Sequence, residues 1–210
     1  MDGWEGLRRD VRRLLEESPE ALMSFPDPES ERRERRIRIE LAPWATEIAA
    51  ALDARYETFV ELRVGAMTFP ERQLFVRAYV PRPAYGLDGI EVELLGPLAV
   101  RSGWSAQADV LVTNRGDDEQ VLLSNGALGS LLVDSSAAVV GRFVGPQPLV
   151  RVGHPVEAHG SRPVPVLIGT ASLVPELGYA VPPGQWGLLV GLGTENGSRW
   201  SAPLEITVTA

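Results

Sequence analysis

The spacing of apolar residues changes twice along this chain, and each change marks a different kind of element. Over residues 3–18, Trp4, Leu7, Val11, Leu14 and Leu15 recur at helical intervals, with Arg8, Arg9, Arg12, Arg13, Glu16 and Glu17 opposite them. That pattern predicts an amphipathic helix. Ser18-Pro19 ends it, because proline disfavours helix in the residue before it. A short helical turn is expected at 20–23 and a linker at 25–28. The period then drops to two. Ile37, Ile39 and Leu41 alternate with Arg36, Arg38 and Glu40, which predicts a strand. Pro43 suits the first turn of a helix. Trp44, Ile48, Ala51, Leu52 and Tyr56 continue it with one apolar face. A second strand is expected over 59–69 and a third over 74–80, carrying Leu74, Val76, Ala78 and Val80. Strand, helix, strand in that order usually closes as a right-handed parallel pair.

Residues 81–86 are rich in proline and turn formers and read as a boundary. Beyond them every periodic segment is of strand type. Ile90, Val92 and Leu94 alternate with glutamates; Trp104, Ala106, Ala108, Val110 and Val112 alternate with polar residues. Residues 114–118 and Asn125-Gly126 read as turns. Segments 128–133 and 139–144 form a predicted hairpin around Asp134-Ser-Ser136, and 149–152 a short strand. Val164, Val166 and Ile168 share a face of a strand whose opposite set includes Pro163 and Pro165. Proline cannot donate to a ladder, so an edge or bulged strand is expected there. Two alternating strands joined by a turn at 195–198 close the chain. Seven or more short strands predict a sandwich. The fold class is therefore α+β in three parts: a helix and linker at 1–28, a small α/β segment at 29–83, and an antiparallel β-sandwich at 88–210.

The segment Val181-Pro-Pro-Gly-Gln-Trp186, leading into Leu188, Val190 and Leu192, carries a family likeness. Residues 88–210 resemble bacterial immunoglobulin-like or fibronectin-III-like domains. The resemblance implies a proline-glycine corner before the penultimate strand, with Trp186 where a corner tyrosine often stands. An indole donates one hydrogen bond and has no hydroxyl. The chain has no cysteine, which excludes an antibody-type disulfide core. Such sandwiches host many unrelated roles, so the likeness speaks to fold and not to function.

Composition narrows the partners. The net charge of −8 disfavours nucleic acid and anionic membranes, since phosphate binding needs a basic field. The mixed run Glu29 to Arg36 nearly balances in sign and reads as a solvated face or linker. All 20 basic residues are arginine, which fits a GC-rich, actinobacterial-type genome and warns against reading each one as chosen for binding. The first ten residues lack an apolar core of signal-peptide length, so a cytoplasmic protein is expected.

Candidate chemistry is sparse. His154 and His159 could join Glu157 or Asp134 around a metal, but their spacing fits no helical pair, and two loop histidines are the expected case. Ser135 and Ser136 beside Asp134 lack a nucleophile-elbow motif and read as a hairpin tip. Asp117, Asp118 and Glu119 are contiguous, unlike the alternating oxygens of a calcium loop. Gly187, Gly191 and Gly193 precede no helix and are expected to permit close packing. Asn196-Gly-Ser198 is expected to be a turn. No cofactor or metal is expected. The first expectation is a non-enzymatic interaction or scaffolding protein, binding a protein partner through loops or a sheet edge near Pro163 and Pro165. The helix face of Trp4, Leu7, Val11 and Leu14 would be a second binding surface, unless it packs on its own chain. The alternatives are a small hydrolase or metal enzyme with a site between domains, and an intracellular proteinase inhibitor.

Overall fold

The computed structural model describes residues 3–17, 21–24, 37–42, 44–64, 85–144, 147 and 150–210. The linker at 25–28, the charge run at 29–36, the strand expected at 74–80 and the end of the 59–69 strand lie outside the described residues. The chain is mostly β, with an N-terminal helix and a β-α-β unit ahead of one large sheet.

Helix α1 spans Gly3–Glu17. Its apolar stripe works as the spacing predicts: Leu7 and Val11 are buried and the arginine face is exposed. Of the helical turn expected at 20–23, Ala21 is in a 3-10 turn, and Leu22 and Met23 belong to strand β1 (Leu22–Ser24). Cross-strand pairing wins here, because Leu22 and Ser24 bond antiparallel to Leu41 and Glu40 of β2 (Ile37–Leu41). Helix α2 (Thr46–Tyr56) crosses over to β3 (Val60–Val64), and β2 and β3 pair in parallel from Ile37↔Val60 to Leu41↔Val64. The buried stripe of this crossover is Ala45, Ala49, Leu52 and Tyr56; Ala51, expected on it, is exposed. Leu7 and Val11 complete the same apolar cluster with Ile39, Leu41, Val60 and Val64. Asp10 fastens the two helices together. Its Oδ2 accepts bonds of 2.7 Å from both the Tyr56 hydroxyl and Arg55 Nη1. Burial and that carboxylate raise the Tyr56 pKa above its ordinary value.

The large sheet runs β4 (Ile90–Leu94), β6 (Ser105–Asn114), β11 (Ser161–Gly169), β8 (Leu128–Val133), β13 (Gly184–Thr194), β15 (Leu204–Thr209), β5 (Ala99–Arg101). Strand β14 (Gly197–Trp200) extends the far half of β13; β9 (Val139–Arg142) lies on β8, and β12 (Ala171–Ser172) on β9. Two contacts are parallel, β11 with β8 and β15 with β5, so the sheet is mixed and not purely antiparallel as expected. Val110, Val112, Val164, Val166 and Ile168 share one core with Leu132, Leu188, Val190, Ile206 and Val208. Those residues come from both ends of the strand order, so the sheet must curl strongly into a half-barrel. The seam is β11. It pairs β6 along its whole length and then takes β8 at Val166 and Leu167. Pro163 and Pro165 therefore lie on the part of β11 that pairs on one side only among the described strands, which suits a residue with no N–H.

The two parts meet at stacked tryptophans. The rings of Trp44 and Trp104 lie 5.0 Å apart and 7° from parallel, with the Arg101 guanidinium 5.4 Å from the centroid of Trp104. Gly103 allows this approach. It has φ +79°, and a Cβ there would lie 2.6 Å from that of Trp44.

Candidate functional site

Outside the large sheet, β7 (Gln120–Ser124) and β10 (Val152–Val156) form a two-stranded antiparallel ribbon. Strand β7 has little signature in the residue pattern, and β10 begins where the strand expected at 149–152 ends. Alternation explains the shift: Val152, His154 and Val156 take one face and Gly153 and Pro155 the other. The inner face carries Leu122, His154 and Val156, at 0%, 6% and 1% exposure. The outer face pairs exposed Val121 with exposed Pro155, and half-buried Leu123 with Gly153. Val150, just ahead of β10, is also strongly exposed. This outer face carries no charge.

His154 corrects the expectation of two loop histidines. It belongs to a strand, and its Nε2 lies 2.8 Å from Ser124 Oγ on the facing strand. Burial, and secondarily the positive charge of Arg162, hold its pKa below the ordinary histidine range. His159 is the loop residue. It adopts φ +55°, and its Nε2 sits 3.1 Å from Asp117 Oδ1, both side chains exposed. Between them, Glu157, Gly160, Ser161 and Arg162 line an open cleft of about 280 Å³ with Pro155 and Val156, and Arg162 Nη1 donates to the Pro155 carbonyl at 2.8 Å.

Asn114 is a residue whose role the sequence reading missed. The residue pattern places it in a turn, yet it ends β6 and is fully buried. Its Nδ2 donates to the carbonyls of Asp118 (2.8 Å) and Val156 (3.0 Å), and its Oδ1 accepts from Gly116 N–H at 2.9 Å. One side chain thus ties the 115–118 turn and the end of β10 to the half-barrel. The signal available in sequence was an Asn two residues before a Gly, the pattern of a side chain closing its own turn.

The other candidates are placed separately. Asp134 Oδ1 accepts from Ser136 N–H, Ser136 Oγ–H and Ala138 N–H, all within its own turn, and the Ser136 bond leads in lowering its pKa. Asp117, Asp118 and Glu119 are exposed. Among the described residues, no three His, Cys, Asp or Glu side chains gather as a metal would need. Gly187 does permit close packing, since a Cβ would meet Val133 Cγ2 at 2.6 Å. On the N-terminal helix, Leu7 and Val11 already fill this chain's own core, leaving little of either for a partner's groove. The side chains of Trp4 and Leu14 lie outside the described residues.

No family model matches this chain, and no curated protein does. Among solved structures, a β-glucosidase from Listeria innocua matches at 17% identity and a TM-score of 0.34, over 58% of this chain and 16% of that one. A β-glucosidase from Kluyveromyces marxianus matches at 16% identity and a TM-score of 0.36, over 71% of this chain and 18% of that one. The chain therefore spans less than a fifth of either enzyme's length, and a likeness this slight assigns neither fold family nor activity.

Proposed function

We propose that this chain is a non-enzymatic protein-interaction or scaffolding module built on an immunoglobulin-like sandwich. The observation that carries the reading is the ribbon. Its outer face leaves Val121 38% exposed, and Val150, two residues ahead of β10, is 63% exposed, while the polar candidates for chemistry are engaged locally. Uncharged faces of this kind suit the centre of a protein interface, where charged residues are depleted.

Two details favour the sandwich over an unrelated curled sheet. Trp186 Nε1 donates to the Pro182 carbonyl at 3.0 Å, four residues back, which is the kind of bond a corner tyrosine makes. The early strand β5 runs parallel to the last strand β15, while β4 pairs with β6, so the first stretch of the domain switches between the two arms.

The test is site-specific photo-crosslinking in cells that make the chain natively. A crosslinker at position 121 or 155 should trap one recurring protein that a crosslinker at position 135, on the β8–β9 turn, does not. Equal yields at all three positions, or only this chain recovered, would overturn the proposal.

A further inference from the structure

The ribbon has its inner face sealed by a histidine and lies outside the hydrogen-bonded ladder of the large sheet. Two-stranded ribbons are marginal on their own in water. This one is held by Leu122 and Val156 in the core, by Asn114 at the Val156 carbonyl, and by Arg162 at the Pro155 carbonyl. His154 and Ser124 lie diagonally across it, since His154 faces Leu122 and Ser124 faces Val152. Their 2.8 Å contact links the strands on the buried side.

We infer that the β7–β10 ribbon is an acid-released flap, opened when His154 takes up a proton between the half-barrel and the Arg162 side of the ribbon. The Ser124 hydroxyl can donate to a neutral ring or accept from a protonated one, so that contact survives in either state. The cost comes from placing a charge on the buried face. The elements packed against β10 supply little to offset it. Strand β7 carries no ionisable side chain; β11 brings Arg162, a second cation; the one acid of β6, Asp109, sits on that strand's exposed face. Beside β10 itself, Arg151 pairs with Glu195, and Glu157 is exposed. A buried cation with no facing carboxylate among the described residues is unfavourable.

A group with a lowered folded-state pKa binds protons more weakly when folded. The closed ribbon is therefore fully favoured above the ordinary histidine pKa of about 6.5 and is lost progressively as pH falls through the folded value. Opening releases Leu122 and Val156 to water and moves the Val121–Pro155 face. The inference deepens the interaction reading, because the flap carries the surface assigned there, but its test needs no partner.

Hydrogen exchange of the full chain, read by mass spectrometry at about pH 7.5 and about pH 5.5 and corrected for intrinsic rates, tests it. Peptides spanning 120–124 and 152–156 should exchange more than about threefold faster at the lower pH, up to the roughly tenfold that one histidine can supply, while β6 and β13 stay protected. His154→Gln keeps a polar partner for Ser124 without the titration and should cut that response to less than about twofold. Unchanged exchange in the native chain, acceleration spread over the whole sheet, or a full response in His154→Gln would each overturn the flap. Should that variant not fold, ring resonances of the two histidines serve instead. The His154 ring should titrate below the ordinary histidine value of about 6.5, in step with ribbon exchange; a midpoint at or above that value would refute the inference. A working flap with no partner crosslinked at position 121 would sink only the interaction reading.

Discussion

Replacing Asn114 with alanine removes three hydrogen bonds at once: two that its Nδ2 donates, to the Asp118 and Val156 carbonyls, and one that its Oδ1 accepts from Gly116. Each such bond contributes about 1 kcal/mol net, and a buried group left unpaired costs about 1–3 kcal/mol. The side chain is 0% exposed, so water does not replace it in place. The expected loss is about 3 kcal/mol, or about 6–12 °C in Tm for a chain of this size. Asn114→Asp sharpens the test. It keeps the acceptor for Gly116 but turns an oxygen toward two carbonyls, so at neutral pH it should be at least as damaging as alanine. As pH falls toward the carboxyl range, about 4, a protonated acid regains one donor and the gap from the native chain should narrow. Urea unfolding of the three proteins at matched pH is the assay. If both variants lie within about 0.5 kcal/mol of the native chain, the Asn114 bonds do not hold this end of the half-barrel.

Three other substitutions test contacts elsewhere. Tyr56→Phe removes the hydroxyl bonded to Asp10 at 2.7 Å and leaves Arg55 on the same oxygen; it should cost about 1.5 kcal/mol in urea unfolding, since bonds to charged groups are worth about 1.5–3 kcal/mol. Gly169→Ala drives a methyl into the Cα and nitrogen of Phe143, both backbone, and should lower stability by about 3 kcal/mol. Gly129→Ala, with nothing within 4 Å, should be close to neutral in the same urea unfolding, and similar losses in the two glycine variants would refute the packing argument.

What could be read from the sequence follows from element length and from how strictly a segment alternates. Ile37, Ile39 and Leu41 announced a parallel strand, and Val110 and Val112 an inward face, because each run is long enough to show its period. Strands β1 and β5 have three residues each, too few to display one. They exist because a neighbour offers free backbone groups, and β-propensity depends on such context. Strand β14 was hidden in the same way: Ser201 breaks the run after it, with Oγ accepting from Val190 N–H at 2.9 Å, so β14 and β15 take different halves of β13. The histidine site was partly visible. Val152, His154 and Val156 alternate, but Gly153 and Pro155 between them look like loop. The curl of the sheet was not visible, because closure depends on which distant strands pair through β11, and alternation alone does not say which.

The face-to-face indoles of Trp44 and Trp104 give the molecule an optical signature of its own assembly. Two such chromophores stacked at this range couple their transitions, so replacing either indole with phenylalanine should change the near-ultraviolet circular dichroism band. One indole belongs to the β-α-β layer and the other to the half-barrel, so the band reports whether those parts remain together, without any label.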